Sequence, residues 1–246
     1  MAAATKEKEV PVGVEQVVQE IKLLRDEPGA VLGLPTGRTM IPLYETLVRE
    51  HQRGRVEFAQ ATTFNLDEFV GLAPGHPGSY RAFMRRHLFD RVDLRPEATH
   101  FPEEHGVGGV SYDESIARAG GLDFCLVGLG TNGHIGFNEP GPFLEPRTHR
   151  VRLLPATRRA NAYLFGGRLR DVPSKATSMG IGTILQARTV VLLATGARKA
   201  AIVRRALEGP VTTRVPASLL QTHVNALVVL DRQAARQLPG RPSLRP

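Results

Sequence analysis

The chain has 246 residues, 41% hydrophobic and 23% charged, a balance that suits one globular α/β domain with a well-buried core. The single cysteine, Cys125, excludes an internal disulfide, residues 1–11 carry no apolar core of a signal peptide, and no apolar run approaches the length of a membrane span. The formal net charge of +8 raises nucleic acid as a partner, but the arginines are scattered in pairs such as Arg85-Arg86 and Arg204-Arg205, and there is no Trp to build a stacking platform. These features predict a cytoplasmic protein with no membrane or nucleic-acid partner.

Val14, Val17, Val18, Ile21 and Leu24 recur at helical spacing and predict an amphipathic first helix. Residues 30–34 then read as a strand, 35–39 as a turn, and 40–50 as a helix with Pro42 in its first turn. A strand is expected over 61–66, a helix through Tyr80, Phe83, Met84, His87 and Leu88, and a helix over 111–119 feeding a buried strand at 122–127. Cys125 lies in that apolar strand and reads as a small core residue. Residues 189–194 form another buried strand, 197–207 a helix, and 226–230 a last strand. This alternation predicts a Rossmann-like, doubly wound α/β fold: a mostly parallel sheet with helices on both faces. No internal repeat or linker divides the chain, so residues 1–246 read as one domain, with frayed ends at 1–8 and 238–246. Residues 154–175 lack a buried strand, are rich in Arg, Gly and Asn, and read as a surface excursion or a lid.

Three strand-end loops carry candidate chemistry, because ligands of open α/β sheets lie beyond the carboxyl ends of strands. The turn Pro35-Thr36-Gly37-Arg38-Thr39 precedes a helix, so its backbone N–H groups and hydroxyls suit a phosphate ester, although the ending of a Walker loop is absent. Asp67 and Glu68 are adjacent carboxylates at a strand end; if the strand runs through them, only one faces the site. The richest segment is GLGTNGHIGFNEPG at 128–141, with His134 and Glu139 five residues apart. Its first glycines match a dinucleotide fingerprint, but Gly136, Pro140 and Pro142 oppose the helix that fingerprint requires. An imidazole beside a carboxylate suits proton transfer near neutral pH. Lys199, near the start of a helix, and Arg158, in the 154–175 segment, are further candidate anion-binding cations. No spacing of metal ligands occurs, so no metal is expected.

The motifs LGLPTG (32–37), TFNLDEFVGL (63–72), SYRAFM (79–84), GLGTNGHIGFNEPG (128–141), TR-x-AN (157–161) and GARKA (196–200) closely resemble the glucosamine-6-phosphate deaminase family, in the right order over most of the chain. The resemblance implies a Rossmann-like sandwich with a lid, and cofactor-free conversion of glucosamine 6-phosphate and water to fructose 6-phosphate and ammonium. It assigns ring opening to His134 assisted by Glu139, with Asn132 beside them, and proton transfer between C2 and C1 to Asp67. It assigns substrate binding to residues 35–39, Gly133, Arg158 and Lys199. The chain departs from the family in three places: Asn132 stands where many members have Asp, Arg38 where a second Gly is frequent, and His149 and Val151 where allosteric members carry Arg-x-Lys. The last departure argues against activation by N-acetylglucosamine 6-phosphate, and the state, monomer or homo-oligomer, stays open. The alternatives are a 6-phosphogluconolactonase, a galactosamine-6-phosphate deaminase, or a sugar-phosphate sensor without turnover.

Overall fold

The computed structural model describes residues 14–23, 29–73, 75–102 and 110–239. Leu24 and the expected frayed end at 1–8 lie outside them, as does the one expected at 238–246 apart from Leu238 and Pro239. In chain order the elements are α1 (Val14–Leu23), β1 (Val31–Leu34), α2 (Ile41–Gln52), β2 (Thr62–Asn65), β3 (Asp67–Phe69), α3 (Tyr80–His87), β4 (Thr99–His100), α4 (Tyr112–Arg118) and β5 (Phe124–Gly128). They continue as β6 (His149–Arg152), α5 (Pro155–Asn161), β7 (Lys175–Ser178), α6 (Ile181–Leu185), β8 (Thr189–Ala194), α7 (Ala200–Glu208) and β9 (Ala226–Leu230).

The main sheet has the order β4-β2-β1-β5-β8-β9, and each neighbouring pair is parallel. Strand residues alternate between its faces. Leu32, Leu34, Phe124, Leu126, Val191 and Leu193 join one core with residues of α1, α2 and α3. Val31, Cys125, Val127, Val190, Leu192 and Ala194 join the other core with residues of α4, α6 and α7. The two-residue period of a strand therefore places helices on both faces, as expected for a doubly wound sheet. Gly33 permits the close approach of β1 to β5: a Cβ there would stand 2.8 Å from Cys125 Sγ.

Local chemistry sets the helix starts. Ser111 and Glu114 form a capping box, the Ser111 hydroxyl accepting from Glu114 N at 3.2 Å and the Glu114 carboxylate from Ser111 N at 2.8 Å. Ser79 caps α3 by accepting from Ala82 N at 3.0 Å.

Several boundaries differ from the sequence expectation. The second helix runs to Gln52, the strand expected over 61–66 stops at Asn65, and the one expected from 122 begins at Phe124. The helix expected from 197 opens with a 3-10 turn at Ala197–Lys199 before α7. A second, antiparallel sheet, β3-β7-β6, was not foreseen, nor was α6. Its strands pair Asp67 with Ser178 and His149 with Ser178. The chain passes from β2 through Leu66 directly into β3, so the end of a core strand becomes the start of the second sheet. The 154–175 segment is mostly helical, α5 followed by 3-10 turns at Ala162–Phe165 and Leu169–Asp171, and its last residue already belongs to β7.

Candidate active site

The strand order reverses between β1, whose next connection leads to β2, and β5, on the opposite side. A crevice must open at their carboxyl ends, because the connecting segments leave in opposite directions. A cavity of about 830 Å³ lies there, lined by residues following β1, β2, β5 and β8 and by the 154–175 segment.

One wall is formed by two loops that each open a helix. After β1, Gly37 adopts φ 111° and ψ 162° and opens a 3-10 turn that runs into α2. After β8, Gly196 adopts φ 91° and ψ 149° and opens the same kind of turn into α7. A side chain at either position would be strained, so glycine is needed twice for one backbone shape. Each turn presents first-turn N–H groups that have no partner within the helix. Pro35, Thr36, Gly37, Arg38 and Thr39 all line the cavity, as do Arg198 and Lys199. Lys199 Nζ donates to the Leu129 carbonyl. Burial, aided by the neighbouring Arg198 charge, lowers its ammonium to about 8.

Asp67 faces the cavity from the first position of β3, and its side chain is buried with Oδ1 lacking a hydrogen-bond partner. Burial, and secondarily the adjacent Glu68 charge, raises its carboxyl well above the ordinary range. Glu68 points the other way, as the strand period requires: its carboxylate accepts from Phe69 N at 2.8 Å, Tyr80 N at 2.9 Å and Arg81 N at 2.8 Å. One carboxylate is left for chemistry while its neighbour holds the start of α3.

His134 lines the cavity opposite. Its Nδ1 stands 3.5 Å from Glu139 Oε2, an ion-pair contact longer than a well-formed hydrogen bond. Asn132 Nδ2 donates to the same carboxylate oxygen at 2.8 Å, and Asn132 Oδ1 accepts from His134 N at 3.3 Å. Burial pushes Glu139 up, but the His134 ring and the side chains of Thr157 and Asn132 outweigh it and hold the carboxyl below its ordinary value. Glu139 Oε1 also accepts from Leu154 N, at the start of α5, at 3.3 Å. Asn132 and Glu139 thus stand behind His134 rather than in the cavity wall.

The rest of the 128–141 motif has structural reasons. Asn138 Nδ2 donates to Ile135 O and Met179 O, each at 2.9 Å, and Ser178 Oγ accepts from Phe137 N at 3.0 Å, pinning the loop to β7. Gly136 adopts φ 57°, a conformation that strains most side chains, and a Cβ there would lie 3.2 Å from Ser178 Oγ. Gly130 leaves room for the His134 ring, the nearest neighbour of any Cβ at that position.

Two of the expected substrate-binding residues are not among those that line the cavity. Gly133 does not line the cavity; it packs under Val215, and its carbonyl accepts from Ala217 N at 2.9 Å. Arg158 is turned away: its Nη2 donates to Val172 O at 2.7 Å and to Leu169 O at 3.1 Å, and Arg159 lines the cavity in its place. Successive helical residues point about 100° apart, so only a known helix phase separates the two. Tyr80, Asn161, Tyr163 and Arg198 also belong to the cavity and were missed. Tyr80 Oη donates to Asn161 Oδ1 at 2.9 Å, joining α3 to α5 across its floor. Among the described residues no group of His, Cys, Asp or Glu could hold a metal ion, and no helix is long and apolar enough to cross a membrane. Cys125 is fully buried, and burial pushes its thiol up to about 12, which suits a core residue.

Fold and site together are those of an α/β enzyme whose cavity is bordered by two glycine-opened turns, with a buried carboxyl and an imidazole facing it. The chain belongs to the family of glucosamine-6-phosphate isomerases and 6-phosphogluconolactonases, whose sequence model matches residues 5–229. It is 49% identical to a glucosamine-6-phosphate deaminase of Hahella chejuensis, over 92% of this chain and 87% of that one. It is also 49% identical to one of Rhodopirellula baltica, over 90% of this chain and 89% of the relative. A solved structure of a monomeric glucosamine-6-phosphate deaminase superposes with a TM-score of 0.82 at 37% identity, covering 92% of this chain and 97% of that one. A 6-phosphogluconolactonase of Trypanosoma brucei, at 20% identity and a TM-score of 0.68, shares the fold.

Proposed function

We propose that the chain converts glucosamine 6-phosphate and water to fructose 6-phosphate and ammonium. The observation that carries this reading is the joint exposure of Asp67 and His134 to one cavity whose far wall is an anion cradle. The phosphate sits between the Gly37 and Gly196 turns, held by backbone N–H groups, Arg38, Arg198 and Lys199. His134 takes the proton of the anomeric hydroxyl and returns one to the ring oxygen, opening the pyranose. Glu139, held below its ordinary pKa and oriented by Asn132, stabilises the imidazolium that forms in between. Asp67 then removes the proton from C2 to give an enol-type intermediate and places it on C1. The resulting imine at C2 is hydrolysed by water, leaving the ketone and ammonium. No step requires a metal or a redox cofactor.

A sugar phosphate as substrate supports a cytoplasmic location. His149 and Val151 lie on β6, outside the cavity wall, and no activation by N-acetylglucosamine 6-phosphate is expected. Purified protein given glucosamine 6-phosphate should release ammonium and fructose 6-phosphate in equal amounts. Hydrolysis of 6-phosphogluconolactone without ammonium release would replace this reading with the lactonase one.

A further inference from the structure

Arg38 is the residue of the β1 turn that differs most from a minimal phosphate loop, and it is placed to do more than add charge. Its guanidinium carbon lies 4.8 Å from the centroid of the Tyr163 ring, which belongs to the segment covering the cavity from the other side. Both residues line the cavity. No carboxylate of the described residues pairs with Arg38, so the aromatic face is its protein partner. Tyr163 Oη is buried without a hydrogen-bond partner, so nothing else fixes the ring's polar end.

A guanidinium has two independent surfaces. Its flat face stacks on an aromatic ring, while its edge carries N–H groups that fit phosphate oxygens. Arg38 can therefore hold a phosphate in the Gly37 turn and the Tyr163 ring at the same time. We propose that Arg38 is a positioning residue that couples phosphate occupancy of the β1 turn to the placement of the covering segment, through its stack on Tyr163. The same segment carries Thr157 and Asn161 into the cavity and begins at Leu154, which donates to Glu139. Binding energy from the remote phosphate is thereby applied where the sugar ring reacts. This inference rests on the sugar-phosphate reading of the site.

The test is a double-mutant cycle between positions 38 and 163, read by kcat and KM for glucosamine 6-phosphate and by calorimetric binding of fructose 6-phosphate. Arg38→Gly and Tyr163→Leu should each lower kcat/KM about tenfold, with part of each loss in kcat, and the double variant should be little worse than either single one. Tyr163→Phe keeps the ring and should keep the full penalty for losing Arg38. Arg38→Lys keeps the charge without the flat face and should recover KM but not kcat. Strictly additive losses, or full recovery of kcat by Lys, would overturn the coupling and leave Arg38 a simple point charge. Fructose 6-phosphate binding separates this failure from that of the functional reading. If wild-type protein binds it but forms no ammonium, the deaminase assignment falls, and the cycle is still decided on binding. If wild-type protein binds no sugar phosphate, both fall.

Discussion

Gly130→Ala tests how tightly the site is built around its imidazole. A Cβ at this position would stand 2.5 Å from His134 Cδ2 and closer still to Cε1 and Nδ1, over the face of the ring. Carbon atoms in contact settle at about 3.5–4.0 Å, so the ring must retreat by roughly 1 Å. The loop cannot follow freely, because Gly130 N donates to His134 O at 2.9 Å and Gly133 N to Gly130 O at 3.0 Å. Misplacing a reacting group by about 1 Å costs about 100-fold in rate, or about 2.7 kcal/mol of barrier. The overpacking itself should cost about 1–3 kcal/mol of stability. The assay is kcat for glucosamine 6-phosphate alongside a thermal melt and fructose 6-phosphate binding. A folded variant that still binds the product but turns over about 100-fold more slowly agrees with this geometry. A kcat within twofold of wild type would refute the claim that the second glycine of the motif exists to seat His134.

Three further outcomes are expected. Asp67→Asn should abolish turnover while sugar-phosphate binding persists; in the wild type, the raised Asp67 pKa places the acid limb of kcat/KM above the ordinary Asp value of about 3.9, since the base works only deprotonated. An acid limb at the ordinary value would remove Asp67 from that role. Lys199 loses its charge as pH rises through about 8, so kcat/KM should bend downward there, and Lys199→Arg should abolish the bend; a wild-type profile flat to pH 9 would contradict its part in phosphate binding. Asn132→Asp replaces the 2.8 Å amide–carboxylate bond with two carboxylates that must share a proton, so the acid limb should move upward with binding unchanged. An unmoved limb would separate Glu139 from ring opening.

The parts of the site that lie at strand ends were legible because strand periodicity fixes direction. Periodicity lets only one of Asp67 and Glu68 face inward, and the resemblance in TFNLDEFVGL is what points to Asp67; residues 35–39, His134 and Lys199 follow from loops after apolar strands. The TR-x-AN motif points to Arg158, whereas the phase of α5 turns Arg159 to the cavity, and no helix over 155–161 is visible in the sequence to reveal that phase. The second sheet was silent for another reason. Its strands DEF, HRVR and KATS are short and polar, and their pairing is made by residues far apart in sequence, so neither length nor alternation announces them. Gly130 carried a signal that pointed elsewhere, since its spacing copies a dinucleotide fingerprint while its function is to make room for a ring.

The most direct test of the central claim is product release by purified protein given glucosamine 6-phosphate, with galactosamine 6-phosphate and 6-phosphogluconolactone in parallel and Asp67→Asn as the control. Equimolar ammonium and fructose 6-phosphate from the glucosamine ester, absent in the Asp67 variant, is the predicted result. Lactone hydrolysis without ammonium, or undiminished ammonium release from the Asp67 variant, would contradict it.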